Sequence, residues 1–356
     1  SLKSTECPRC ARRNRGRPTT SKARCLMIDL NFDSTRPFLV LGRAGMDIYP
    51  TPVNTKTAEV TEFFSALGGS SANIAVALCR LGQKASLVTC VSDDAVGAYV
   101  ENQLRHYGVD SRHVRRVTGD FRTSLAVVES RIDDHQSVIY RNNAADFQMH
   151  DNDVNALAMS EFSALVVTGT CLTKNPSRQA VLRALTLAKE SGLPTIMDLD
   201  YRPYSWESID HARQVYNEVV DLIDIVVGND EEFGQMGGSL DAGQGFARSL
   251  AAAGKLAVYK MGERGSRTFW GDDVITTGVF PVQPIKPTGA GDAFLGILLA
   301  GLSRGEGLAK SIVYGSASAA LVVTRVGCAP AMPTLSELNL FVDQHQESVE
   351  QIIGRI

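Results

Sequence analysis

The sequence predicts an α/β chain, with a mostly parallel central sheet flanked by helices in three layers and a small second β-sheet attached as a lid. Three observations carry this reading. Short apolar, β-rich runs alternate with longer stretches whose apolar residues recur at helical spacing, the texture of a parallel sheet covered on both faces. Two regions, about 47–64 and 123–141, break the alternation with period-two segments that carry polar residues on one face. Two glycine-rich turns run directly into helices, where backbone N–H groups converge.

The chain opens on a basic head. Residues 1–36 hold nine Lys and Arg against three acids, a net +6 that leaves −9 for the remainder of a chain whose total is −3. Few large apolar residues occur there, so a disordered extension is expected. Cys7, Cys10 and Cys25 resemble part of a zinc knuckle, but no His or fourth Cys of the head completes a four-ligand set.

The body is expected over residues 37–350. Phe38–Gly42 reads as a buried strand, and 70–81 as a helix with Ile74, Ala77, Leu78 and Leu81 on one face, stopping at Gly82. Strand-like runs follow at 85–91, 164–168, 195–199, 223–227 and 256–261. Helical stretches at 96–107, 177–191, 208–220 and 243–253 separate them. The two regions of alternating texture fall between helices and are expected to form the lid.

Composition narrows the function. Hydrophobic residues make up 44% and charged residues 21% of the 356, ordinary globular values. An acidic body gives no electrostatic reason to expect nucleic acid. The most apolar stretch, Ala293 to Leu302, is far shorter than the ~20 residues that span a bilayer, so no membrane partner is expected. Seven scattered cysteines, an odd number, suit reduced thiols and a cytoplasmic protein. The six His residues show no metal-ligand spacing.

The strongest local signal is Thr288-Gly289-Ala290-Gly291-Asp292, leading into an apolar helix. The glycines let N–H groups turn toward one point at a helix start, an anion site, while Asp292 stands in the first turn. A carboxylate beside an anion site makes sense if the two act on different atoms. One would take a proton from a hydroxyl, and the other would hold charge on a transferred phosphoryl group. A second turn, Gly68-Gly69-Ser70-Ser71-Ala72-Asn73, places Asn73 in another first helical turn, where its amide can donate to one hydroxyl and accept from another. Neither turn is a Walker P-loop or a dinucleotide fingerprint.

Together, Gly68-Gly69-x3-Asn73 and Gly289-Ala290-Gly291-Asp292 resemble the two signatures of the ribokinase-like (PfkB) carbohydrate kinases. Other features fall in matching order. Asp47 resembles the family's sugar-hydroxyl carboxylate. Asn229-Asp230-Glu231-Glu232 resembles its N-x-x-E element, which organises Mg²⁺ and phosphates. Lys260, Gly262 and Gly265 resemble the strand-end turn that approaches the nucleotide. One departure is visible, since Lys286-Pro287-Thr288 stands where many members carry Asp-Thr. The resemblance implies ATP as co-substrate and Mg²⁺ held near Asn229 and Glu232 through water. It implies Asp292 as base, with Gly289, Ala290 and Gly291 as the anion hole, and Asp47, Gly68, Gly69 and Asn73 against the sugar. It also implies a homodimer paired through the lid.

The stretch from Asp198 to Trp206 resembles the Asp-x-Asp/Asn-x-Arg-x3-Trp element of members acting on acidic keto-sugars. Arg202 and Arg141 are therefore expected to meet a sugar carboxylate, the alternative for Arg202 being a structural ion pair with Asp198 or Asp200. The expected substrate is 5-dehydro-2-deoxygluconate, an intermediate of inositol catabolism, ahead of 2-dehydro-3-deoxygluconate, fructose or ribose. The alternative of another class is a catalytically silent sugar sensor on the same fold.

Overall fold

The computed structural model describes residue 30 and residues 32–345. The expected disordered head thus lies almost wholly outside the described residues. Composition put the start of the body at Pro37, whereas the packed body begins earlier: Phe32 is buried and meets Phe38 edge-on, with ring centroids 5.6 Å apart.

The first strand, β1 (Phe38–Leu41), leads into the lid strands β2 (Gly45–Thr51) and β3 (Glu62–Gly68), then helix α1 (Ser70–Arg80). Next come β4 (Ala85–Ser92) and α2 (Ala95–His106), whose N-cap Asp94 accepts from the N–H groups of Val96 and Gly97. A short edge strand β5 (Val114–Val117) precedes the other lid strands, β6 (Ser124–Val128) and β7 (Ser137–Tyr140). The chain re-enters the body through α3 (Asp151–Asn155), β8 (Leu165–Thr168), α4 (Ser177–Glu190), β9 (Thr195–Asp198) and α5 (Ile209–Val220). It continues with β10 (Ile225–Asn229), α6 (Asp230–Gly237), α7 (Gly243–Ala252) and β11 (Leu256–Lys260). A hairpin of β12 (Ser266–Trp270) and β13 (Asp273–Thr277) precedes α8 (Ala290–Ser303), α9 (Leu308–Val323) and α10 (Leu335–Gln344).

The large sheet runs β13-β12-β11-β10-β9-β8-β1-β4-β5, parallel from β11 to β5, with the last hairpin antiparallel at its edge. Its alternating side chains feed two cores. Phe38, Val40, Val166 and Ile196 pack toward α1, α8 and α9, whereas Leu39, Leu41, Val167 and Met197 pack toward α4, α5 and α7. This is the period-two consequence of a sheet covered on both faces. The sheet order reverses at β1, which pairs with β4 on one side and β8 on the other. The crevice outside the carboxyl ends of strands at such a reversal is where open α/β sheets bind ligands.

The small sheet runs β3-β2-β6-β7 and matches the expected lid. Tyr49, Ala66, Ala126 and Val128 form its own small core, while Phe63, Phe64, Val138 and Tyr140 stand exposed. Among the described residues no helix is long and apolar enough to cross a membrane.

Candidate active site

A cavity of about 420 Å³ opens at the carboxyl ends of the parallel strands, under the lid. Asp47, Gly69, Asn73, Arg202, Asn229, Glu232, Lys260, Gly289, Gly291 and Asp292 all line it, so ten of the residues singled out from sequence meet in one place. The lid contributes Ala126, Val128, Ser137 and Ile139.

The two glycine signatures touch. Asn73, in the first turn of α1, donates from Nδ2 to Asp292 Oδ2 at 2.8 Å across 219 residues of sequence. Its Oδ1 is buried with no hydrogen-bond partner among the described residues. The turn before α8 is possible because Gly289 adopts φ +85°, a left-handed conformation that favours glycine. The first helical bond runs from Ala293 N to Gly289 O, which leaves the N–H groups of Ala290, Gly291 and Asp292 outside the helical ladder. Ala290 itself does not line the cavity.

Burial, reinforced by the Asp200 and Asp198 carboxylates, pushes Asp292 up to about 7, against the pull of Asn73 and Arg202. Burial likewise raises Asp47, opposed by Arg43, by the Tyr49 hydroxyl that donates to it at 3.0 Å, and by Lys286. Gly68 stays outside the cavity lining for a packing reason: a Cβ there would collide with the Asp47 carboxyl, so Gly68 sets where Asp47 sits.

At the other end, Asn229 and Glu232 form a reciprocal cap on α6. Glu232 N donates to Asn229 Oδ1, and Asn229 N to Glu232 Oε2, both at 2.8 Å. Tyr201 N donates to Glu232 Oε1 at 3.1 Å. Burial, together with Asp198, raises Glu232 to about 7. Both oxygens of Glu232 already accept backbone donors, and among the described residues no cluster of three His, Cys, Asp or Glu could hold a metal directly. The donor set therefore fits a water-mediated Mg²⁺ rather than an all-protein cage. Lys260 points toward the anion turn, its Nζ 3.2 Å from where a Cβ on Gly291 would stand. Gly262 and Gly265 do not line the cavity; Gly262 opens and Gly265 ends the short turn that follows β11.

One expectation is corrected, and another meets its alternative. Arg141 does not line the cavity: it is buried, ion-paired with Asp146 and stacked 4.1 Å from the Phe147 ring. Arg202 does line it, but its guanidinium already pairs with Asp200 at 2.8 Å and with Glu232 at 3.5 Å. Asp200 holds that pairing from a strained backbone at φ +38° and accepts from the Thr170 hydroxyl at 3.0 Å. Burial would raise Asp200, but Arg202 and Arg43 outweigh it and hold the carboxyl below its usual range.

Sequence reasoning gave no site role to Arg43, Asp198 or Lys286. Arg43 lines the cavity just beyond β1, and a charged residue directly after a buried strand was the available signal. Asp198, raised by burial, closes β9 inside the cavity. Lys286, the departure noted above, is fully buried, with Nζ donating to the Thr288 carbonyl at 2.5 Å, so it clamps the turn ahead of Gly289.

Residues 37–335 match the pfkB family carbohydrate kinases. The chain belongs to that family. A 5-dehydro-2-deoxygluconokinase of Photobacterium profundum is 37% identical over 328 residues, covering 90% of this chain and 99% of its own. One of Geobacillus kaustophilus is 33% identical, covering 89% and 97%. The fold of this pfkB carbohydrate kinase also matches a fructokinase from Vibrio cholerae solved with fructose, ADP and calcium. That match has TM-score 0.76 at 24% identity and covers 87% of this chain and 99% of that one.

Proposed function

We propose that the chain transfers the γ-phosphoryl group of ATP to a hydroxyl of 5-dehydro-2-deoxygluconate. The observation that carries the reading is the Asn73–Asp292 contact, which joins the sugar-side turn to the phosphoryl-side turn inside one cavity. The names of the two relatives support the choice of acid. The sugar hydroxyl oxygen attacks the γ-phosphorus, the bond to the ADP oxygen breaks, and the hydroxyl proton passes to Asp292. The N–H groups of Ala290, Gly291 and Asp292 face the charge on the transferring group, and Asp47 and Asn73 fix the sugar hydroxyls. Such a reaction needs little beyond alignment and charge stabilisation. Mg²⁺, held through water near Asn229 and Glu232, would neutralise charge on the phosphates. ADP release coupled to a dye readout, run over a panel of sugars and sugar acids, tests the reading: no turnover on any sugar acid would reject it.

The buried base makes a pH prediction. A carboxyl at its ordinary value of 3.8 would stay ionised through the neutral range and leave kcat/KM flat. With Asp292 at about 7, the ionised, reactive form is lost as pH falls through 7, so kcat/KM should drop about tenfold per unit below about pH 6. The limb should survive Glu232→Gln, because Glu232 carries no proton in the chemical step. A flat profile from about pH 5 to 8 would contradict the assignment.

Exposed Phe63, Val138 and Tyr140 give the lid an apolar face that pairing with a second copy would cover. We expect light scattering to give the mass of a dimer, and Phe63→Glu/Val138→Glu to give a monomer. A wild-type monomer at micromolar concentration would remove the lid pairing.

A further inference from the structure

A sugar acid brings a full negative charge into a cavity that already holds Asp47, Asp198, Asp200, Glu232 and Asp292. Such a charge is tolerated only against a cation that is not already neutralised. Three cationic side chains line the cavity: Arg43, Arg202 and Lys260. Arg202 is engaged by Asp200 and Glu232. Lys260 lies at the anion turn, beside Gly291 and about 5.8 Å from the Phe294 ring. Arg43 differs from both. Among the described residues neither Arg43 nor Lys260 makes an ion pair, but Lys260 stands at the Gly291 turn, whereas Arg43 stands by Asp47 and has a buried Nε without a hydrogen-bond partner.

Its place in the fold is fixed. Arg43 follows β1, the strand at which the sheet order reverses, and its carbonyl accepts from Ala72 N at 3.2 Å in the first turn of α1. The guanidinium is close enough to pull on both Asp47 and Asp200, although burial keeps Asp47 raised, yet each of those carboxyls has a partner of its own in Tyr49 or Arg202. Asp47 and Asn73, the hydroxyl readers, line the same part of the cavity.

We propose that Arg43 is the residue that selects a carboxylate-bearing sugar, its guanidinium taking the acid's carboxylate while the hydroxyl at the far end of the chain meets Asp292. The inference rests on the reading of the chain as a sugar-acid kinase. A guanidinium offers two parallel N–H donors to a carboxylate, which an ammonium cannot reproduce. Arg43 therefore sets substrate affinity rather than turnover.

The test uses the full chain with 5-dehydro-2-deoxygluconate and its neutral carboxamide. Wild type should favour the acid over the amide by about 10–100-fold in KM. Arg43→Gln should raise KM for the acid by that factor, leave KM for the amide and for ATP within about threefold, and so abolish the preference. Arg43→Lys should fall between the two. Direct binding of the acid, measured calorimetrically in the absence of ATP, should weaken in parallel. If wild type phosphorylates the acid and Arg43→Gln keeps its KM, the role of Arg43 is overturned while the kinase reading stands. Equal loss for acid, amide and ATP also overturns it, as damage to the cavity rather than lost recognition. A wild-type chain inactive on every sugar acid overturns the kinase reading and the inference with it.

Discussion

Asp292→Asn is expected to lower turnover by about 10²–10⁴, the range that loss of a general base produces. The substitution keeps the size of the side chain, and with its amide oxygen turned toward Asn73 it keeps the 2.8 Å contact. What it removes is a proton acceptor whose affinity burial and two neighbouring carboxylates have raised to about 7. A base matched to neutral pH accepts a proton well as the hydroxyl becomes nucleophilic, while remaining substantially ionised beforehand. KM for sugar and ATP should stay within about threefold, because the proposed mechanism assigns hydroxyl recognition to Asp47 and Asn73 and the phosphates to the turn before α8. The acid limb of the pH profile should disappear from the residual rate. A variant with a tenth of wild-type turnover would show that the proton leaves by another route.

Features written in local sequence were legible, and features made by long-range pairing were not. The helix over 70–81 was readable from Ile74, Ala77 and Leu78 and from the glycine that stops it, and it ends within a residue of expectation. Both glycine turns were readable because a glycine pair ahead of a helix is a local device. The lid was readable from period-two texture at 47–64 and 123–141. The antiparallel β12–β13 edge was overlooked although Gly271-Asp272 between two β-rich runs is a hairpin signal. The arginines mark the real limit. Arg202, Arg141 and Arg43 are chemically identical in a sequence, and what separates them is which carboxylate the fold delivers. Asp200 reaches Arg202 only by adopting a left-handed backbone, and Asp146 reaches Arg141 only because the turn at Ala145–Gln148 folds back. The Asp200–Arg202 pair was open from the sequence as an alternative, whereas the Asp146–Arg141 pair had no signature in residue spacing. The guanidinium left unpaired was therefore the one that spacing gave no reason to choose.

Arg141→Met should destabilise the protein by about 3–5 kcal/mol, the cost of leaving one member of a buried pair without its partner. Both side chains are well shielded, at 7% and 2% exposure, so solvent does little to replace the lost charge. Asp146 would retain only the Ser124 hydroxyl, which donates at 2.9 Å from the start of β6. The pair also joins the lid to the body. Arg141 follows β7, and its other prong donates to the Thr170 carbonyl at 3.2 Å, in the turn after β8. Removing it should lower the melting midpoint by on the order of 4–7 °C for a chain of this size. Met fills much of the arginine stem and preserves contact with Phe147, so the loss reports on charge more than on volume. Replacing both partners, as Arg141→Met/Asp146→Leu, should recover a large part of the stability, since an apolar pair of similar volume leaves no stranded charge. Well below its midpoint, the single variant should keep a KM for the sugar acid much closer to wild type than Arg43→Gln does. An Arg141→Met protein that melts with the wild type and loses the acid would return this guanidinium to the substrate and refute the structural role its ion pair implies.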